Sequence, residues 1–260
     1  LIFLSRGFVN AEAQQKTGEW KPGMEMTLGA HNGYVEEISG AALFSKPVFI
    51  QTATLYAEKK GSGFYLMAVN FSPEKQESEE TDFYAGFYAV LAGVQIDAGY
   101  AYYWWREDPA IDFQGVYGLF VLPKFVWEIY PFVNAEYRFA EKKVTDLYPD
   151  ISHRRLERKC EFADEDLGGF LYQGGIKRNF KLNERFSVMA EVSLGGNTGL
   201  YGIPAENLGF VREKVDMVIS PFKPLTINLS GLTQQNLGKE EGIAADTEKI
   251  FISATMVWSF

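Results

Sequence analysis

The segment Ile250–Phe260 alternates without interruption. Ile250, Ile252, Ala254, Met256, Trp258 and Phe260 fall on one face, and Phe251, Ser253, Thr255, Val257 and Ser259 on the other. Side chains of an extended chain point to opposite sides in turn, so a period of two marks a β-strand. The first face is wholly apolar and the second is rich in hydroxyls. Strand ends of water-soluble sheets ordinarily fray into solvent. A strand this long, apolar on one side and finishing in an aromatic residue, suits the wall of a transmembrane β-barrel.

The same period recurs along the chain. Phe186, Val188, Ala190, Val192 and Leu194 oppose Ser187, Met189, Glu191 and Ser193. Val94, Ile96, Ala98, Tyr100, Tyr102 and Trp104 oppose Gln95, Asp97, Gly99 and Ala101. Twelve such strands are expected, over 23–31, 47–58, 63–72, 82–92, 94–105, 113–122, 128–140, 169–180, 186–195, 209–220, 225–234 and 249–260. Their connections alternate in length. The short ones are 59–62, 92–93, 123–127, 181–185 and 221–224; the long ones are 32–46, 73–81, 106–112, 141–168, 196–208 and 235–248. Short turns at one rim and long loops at the other, with both termini on the short-turn side, describe an even-stranded outer-membrane barrel. Greek-key crossovers of a soluble sandwich would scatter the long connections.

Alternation alone is neutral between water and lipid, because a soluble barrel shows the same pattern with its apolar face turned inward. The aromatic content of the apolar face and the sorted loops favour lipid. The chain carries 14 Tyr, 21 Phe and 5 Trp with 25 Gly, a composition suited to a large sheet with tight turns and interfacial anchors. Tyr102, Trp104 and Trp105 are expected at the long-loop rim, and Trp127, Tyr130, Trp258 and Phe260 at the other. The fold class expected is therefore all-β, a transmembrane antiparallel up-and-down barrel of twelve strands. The stretch Phe83–Trp105 is long enough for a membrane helix, but Gly86, Gly93 and Gly99 interrupt it and Asp97 would lie in hydrocarbon. Two strands turning at Ala92-Gly93 avoid that cost by pointing Asp97 into the lumen.

Residues 1–13 read as the remnant of an export signal, with Leu1-Ile-Phe-Leu4 apolar and a small-x-small pattern at Ala11-Glu-Ala13. Residues 14–260 then form a single barrel domain in the outer membrane of a Gram-negative bacterium, both termini periplasmic. The expected partners are the lipid bilayer, the outer-membrane assembly machinery, for which Trp258 and Phe260 would be the recognition signal, and a small solute. A net charge of −9 without a basic stripe argues against nucleic acid. The lone Cys160 excludes an internal disulfide framework.

The polar faces supply candidate lumen residues: Glu25, Gln51, Asp97, Asn134, Glu136, Arg138, Lys177, Asn179, Glu191, Arg212, Lys214, Asp216 and Asn228. Inward aromatics such as Tyr84, Tyr88, Tyr103, Tyr130 and Phe132 would narrow the bore. A twelve-stranded barrel lies between those filled by side chains and the wide porins, so only small solutes would pass. No enzymatic activity, cofactor or metal is expected. His31 and His153 are far apart in sequence, and neither they nor Cys160 form a spaced ligand or nucleophile–base set. Gly195-Gly-Asn-Thr-Gly199 lacks the lysine and hydroxyl ending of a phosphate loop and reads as a flexible turn. The acidic loop Glu74–Glu80 reads as a solvated connection. The mixed-charge run 154–166 is open to three readings: a short surface helix, a constriction folded inward, or a surface for polyanions, the last weakened by its own acidic residues.

Several short motifs carry a family resemblance: Ser45-Lys-Pro-Val48, Gly63-Phe-Tyr65, Glu80-Thr-Asp-Phe-Tyr-Ala-Gly86, Gly99-Tyr-Ala-Tyr-Tyr103 and Glu128-Ile-Tyr-Pro-Phe132. In these the chain resembles a proteobacterial family of outer-membrane β-barrel proteins of undefined function, roughly 240–260 residues long. It departs from that family at Tyr34-Val-Glu-Glu37, where an aromatic-Arg-Gly segment is common. The resemblance implies an exported barrel and supplies no active residues. The function expected is a narrow passive channel for small solutes; the alternative is a closed structural or surface-binding barrel acting through its long loops.

Overall fold

A computed structural model describes residues 19–35, 42–44, 46–74, 79–106, 112–139, 168–197, 209–237 and 249–260. The strands are β1 (Lys21–His31), β2 (Tyr34–Val35), β3 (Ala42–Phe44), β4 (Val48–Lys59), β5 (Ser62–Pro73), β6 (Glu80–Leu91) and β7 (Val94–Trp105). They continue as β8 (Phe113–Val121), β9 (Ile129–Phe139), β10 (Gly169–Lys181), β11 (Phe186–Asn197), β12 (Phe210–Phe222), β13 (Leu225–Asn236) and β14 (Lys249–Ser259). All except β2 and β3 form one closed barrel of strands paired in chain order, with β14 returning to β1. Every pairing is antiparallel. The twelve expected strands are all present. The small β2–β3 hairpin lies within the connection read from sequence as a plain loop.

Closure is made by Glu25–His31 against Ser259–Ser253. It extends to the last residue, where Phe260 N donates to Met24 O at 2.9 Å and Met24 N donates to Phe260 O at 3.2 Å. Following the register once around the sheet displaces β1 by roughly 16 residues, which for twelve strands sets a tilt of about 40° and a backbone radius of about 12 Å. At that tilt a strand of 11 residues rises roughly 25–30 Å, the height of a bilayer's hydrocarbon layer.

Two of the tight turns show why the chain reverses where it does. Lys60 and Gly61 have φ of 53° and 77°, and Ala92 and Gly93 have φ of 49° and 82°. Left-handed backbone at both central residues is the two-residue hairpin that matches strand twist. The second turn makes β6 and β7 a hairpin and turns Asp97 into the lumen, so Phe83–Trp105 is not a helix. Among the described residues no helix is long and apolar enough to cross a membrane.

The distribution of polarity decides which solvent surrounds the barrel. Outward positions carry exposed large apolar residues, including Leu55, Leu66, Phe64, Val133, Leu194, Ile250 and Ile252. Inward positions carry buried polar ones, including Glu25, Thr27, Asp97, Asn134, Glu136, Arg138 and Arg212. This is the inverse of a water-soluble barrel and the arrangement of a transmembrane one. Within the described strands, charged residues on the outward face are limited to Lys59, Arg178 and Glu213, all within a few residues of a strand end. Trp104, Tyr102 and Trp258 lie on this outward face as expected of interfacial anchors. Trp105 does not: parity turns it inward, where it packs against the apolar cluster that includes Val48, Ile50, Val69 and Phe71. Tyr130, expected among the inward aromatics as well as at the rim, faces inward and packs against Leu119, Val121 and Phe132.

A lipid-facing apolar belt makes a depth-dependent prediction. Leu66→Arg, well inside the belt, is expected to lower unfolding free energy by about 2–4 kcal/mol, and Leu182→Arg in a rim turn by about 0–1 kcal/mol. Urea titration of the chain in lipid vesicles measures both; equal costs would contradict the membrane placement.

Candidate functional site: the barrel lumen

The lumen is built from two unlike walls. On the wall formed by β4–β9, inward carboxylates stand behind tyrosines. Tyr65 Oη donates to Asp97 Oδ1 at 2.7 Å and is also hydrogen-bonded to Tyr117 Oη. Tyr84 Oη donates to Asp82 at 2.9 Å, Tyr88 Oη to Glu58 at 2.8 Å and Tyr103 Oη to Glu136 at 2.6 Å. Arg138 Nε is 2.8 Å from Glu136 Oε1, and its guanidinium lies 4.2 Å from the centre of the Tyr103 ring. Both ions are about 2% exposed. A buried pair of this kind holds only because its hydrogen-bonding capacity is met from several directions.

Glycine determines how these rings lie. Tyr56 sits directly across from Gly23, Tyr65 from Gly86, Tyr88 from Gly63 and Tyr117 from Gly99. On the remaining strands Phe132 faces Gly175, and Phe210 faces Gly195. In each pair the ring occupies the space a Cβ would take. At Gly86 that Cβ would lie 2.5 Å from Tyr65 Cζ and 2.7 Å from Tyr117 Oη. The rings are thereby laid along the wall and do not project across the bore. Gly195 to Asn197, expected as a flexible turn, instead extend β11, and Gly195 is the seat of Phe210.

The opposite wall, β10–β13, is richer in cations. Lys177, Glu191 and Lys214 occupy one rung across three strands. Lys214 Nζ lies 3.5 Å from Asp216 Oδ2. Above them Arg212 Nη2 donates to Gln234 Oε1 at 2.8 Å, and Gln173 Nε2 to Ser193 Oγ at 2.9 Å. Along β11–β14 the inward residues Glu191, Lys214, Asn228, Ser230, Ser253 and Thr255 are only half-buried. One rung holds Asn179, Met189, Asp216 and Ser230. On that rung Asn179 Oδ1 and Asp216 Oδ1 have no protein hydrogen-bond partner, and neither has Asn228 Oδ1 nearby.

Twelve of the thirteen candidates point inward: Glu25, Asp97, Asn134, Glu136, Arg138, Lys177, Arg212 and Asp216 are buried, and Asn179, Glu191, Lys214 and Asn228 half-buried. Gln51 is the correction. It is exposed on the outward face, opposite Leu28 and Asn70. Along 48–55 neither face is wholly apolar: the inward row is Val48, Ile50, Thr52 and Thr54, and the outward row is Phe49, Gln51, Ala53 and Leu55. The outward amide joins a polar strip with Asn70 and Thr81, whose side chains are hydrogen-bonded at 3.1 Å. That strip lies at the level of Trp104, where head groups accept polar side chains. His31 faces inward near the long-loop rim; His153, Cys160, the segment 154–166 and residues 1–13 lie outside the described residues. Glu80, Asp82, Tyr65, Tyr117 and Gln173 also line the interior and were not among the expected residues. The parity of β6, once fixed by Tyr84 and Tyr88, would have placed Asp82 and Glu80 beside them.

No protein-family model matches the chain, and no curated protein matches it. Solved structures do. A NanC porin is similar over 90% of this chain and 98% of its own, with a TM-score of 0.55 at 8% identity. A KdgM porin covers 92% of this chain and 99% of its own, with a TM-score of 0.49 at 10% identity. The outer-membrane phospholipase A of Escherichia coli covers 90% and 92%, with a TM-score of 0.45 at 10% identity. The fold is that of outer-membrane β-barrels. No single family is identified.

The glycine seats make a local prediction. Gly86→Ala should displace the Tyr65 and Tyr117 rings and cost about 1–3 kcal/mol. Gly231→Ala, whose Cβ would meet nothing within 4 Å, should be close to neutral. Urea unfolding of the two variants compares them; equal stability would remove the proposed role of the seats.

Proposed function

We propose that the protein is a narrow passive channel for small polar solutes in the outer membrane of a Gram-negative bacterium. Its short turns would face the periplasm, its long loops the outside, and it would carry no catalytic activity. The observation that supports this most is the half-open polar wall of β11–β14. Half-buried Glu191, Lys214, Ser230, Ser253 and Thr255 line it. A backbone radius of about 12 Å, less the side chains on both walls, leaves room for a bore of small-molecule width. The passage is eccentric, because the carboxylate–tyrosine network fills the side formed by β4–β9. A solute in it would meet tyrosine rings on one side and hydroxyl, amide and charged groups on the other, with an acid-rich wall facing a base-rich one. Similarity to a NanC porin accords with this reading at the level of shape. Trp258 and Phe260, outward on β14 beside β1, remain the residues we assign to recognition by the assembly machinery.

One feature favours the second reading, a closed barrel acting through its long loops. At the long-loop end Phe113, Leu171, Phe210 and Arg212 are all about 2% exposed or less, so side chains pack closely against the wall there. Conductance separates the two. Purified protein in planar bilayers is expected to give discrete current steps, and Lys214→Glu to shift the reversal potential toward cations. A bilayer that stays sealed at high protein density would leave the closed barrel.

A further inference from the structure

Of the three charges on the outward face, Arg178 is placed least comfortably for a group surrounded by hydrocarbon. It leaves β10 between Ile176 and Phe180, both exposed to the surroundings, and its guanidinium carbon lies 4.5 Å from the Phe180 ring centre. Its partners across the sheet are Ile129 and Ala190. No carboxylate pairs with it among the described residues. It stands three residues before the end of β10, a height of about 7 Å at the barrel's tilt. An arginine side chain spans that distance by laying its stem on apolar surface and delivering its head to the interface.

The rim below it is chemically suited to receive the same occupant. The connection 122–128 presents Lys124, Phe125 and Trp127 to the outside, and the Trp127 side chain is 74% exposed on a left-handed backbone with φ of 60°. Leu182 and Arg185 are exposed on the adjoining turn. Lys124, Arg178, Lys181 and Arg185 stand against Glu128 and Glu184 on this arc, and Lys124 is 3.7 Å from Glu128. The arc therefore combines a positive balance, a bilayer-depth arginine without a carboxylate, and exposed aromatic side chains at the level of lipid head groups.

We propose that this outer surface, where β9 and β10 meet the short-turn rim, is a binding site for an anionic glycerophospholipid. Arg178 takes the phosphate in a forked, charge-assisted contact. Lys124 and Arg185 raise the local potential, and Trp127 and Phe180 seat the glycerol and upper acyl region. The site rests on this rim lying at a bilayer interface, and is independent of whether the barrel conducts.

The test uses the full chain with Trp127 as its sole tryptophan, Trp20, Trp104, Trp105 and Trp258 being replaced by phenylalanine. It is reconstituted in phosphatidylcholine vesicles containing a minor fraction of brominated phosphatidylglycerol or of brominated phosphatidylcholine. Quenching of Trp127 should be stronger with the anionic lipid. Arg178→Gln should weaken that preference roughly fivefold, while Lys60→Gln, on the distant β4–β5 turn, should leave it intact. Equal quenching by both lipids, or a preference that survives Arg178→Gln, overturns the site while leaving the membrane placement standing. No quenching by either lipid overturns the membrane placement and the site with it. If the four phenylalanine substitutions prevent folding, native mass spectrometry of the unaltered chain replaces the fluorescence. Retention of phosphatidylglycerol over phosphatidylethanolamine that is lost in Arg178→Gln supports the site, and indifferent retention overturns it.

Discussion

The backbone pairing of β14 with β1 is the constraint on which the rest of the structure depends. In hydrocarbon an unpaired N–H or C=O costs several kcal/mol, so a sheet with an open edge cannot persist there. The pairing between Glu25–His31 and Ser253–Ser259, continued by the bonds between Met24 and Phe260, removes the last edge. Once the sheet closes, strand number and register fix tilt and radius, and parity fixes which residues meet lipid and which meet one another. The lumen's chemistry follows from closure as much as from the residues themselves.

Closure also creates a packing problem that the interior solves asymmetrically. Twelve strands enclose more space than one layer of small side chains fills. On β4–β9 the solution is large rings seated against glycines, with their hydroxyls tied to Asp82, Asp97, Glu136 and Glu58. Those bonds give each of these inward carboxylates a donor, in addition to Arg138 at Glu136. On β11–β14 hydroxyl and amide side chains are shorter, and the wall stays half-open. A filled side facing a half-open one is the asymmetry behind the off-axis passage we propose.

Much of this was legible in the residue order because a period of two is a strong signal when it is repeated twelve times. The strands around Val94–Trp104 and Ile250–Phe260 divide into a wholly apolar row and a mixed row, so their facing could be read directly and proved right. Residues 48–55 carry a weaker signal: Val48, Ile50, Thr52 and Thr54 against Phe49, Gln51, Ala53 and Leu55 leave neither row wholly apolar, and the polar type of Gln51 alone points it inward where the structure turns it outward. Trp105 shows the limit of assigning aromatics by height alone, since an interfacial anchor must also have outward parity; for Tyr130 the inward reading holds and the rim-anchor reading does not. The cross-strand seats of tyrosine on glycine depend on register, such as Tyr65 opposite Gly86, and register is a relation between strands that hydrophobic alternation within either strand does not fix. Arg178 carried no signal by itself; its outward parity and its place beside Ile129 came from the sheet.

The claim that one face of β14 meets water and the other meets lipid is tested most directly by thiol labelling along that strand. With Cys160 replaced by serine, cysteines are placed singly at Ser253, Thr255, Ile252 and Ala254 in the membrane-inserted protein. A charged, membrane-impermeant thiosulfonate should modify the cysteines at 253 and 255 and spare those at 252 and 254, where a thiol in hydrocarbon stays protonated and unreactive, and all four should react once the protein is unfolded in urea. Uniform reaction of all four with the charged reagent before unfolding, or reaction of 252 and 254 alone, would contradict a lipid-facing barrel with a hydrated interior.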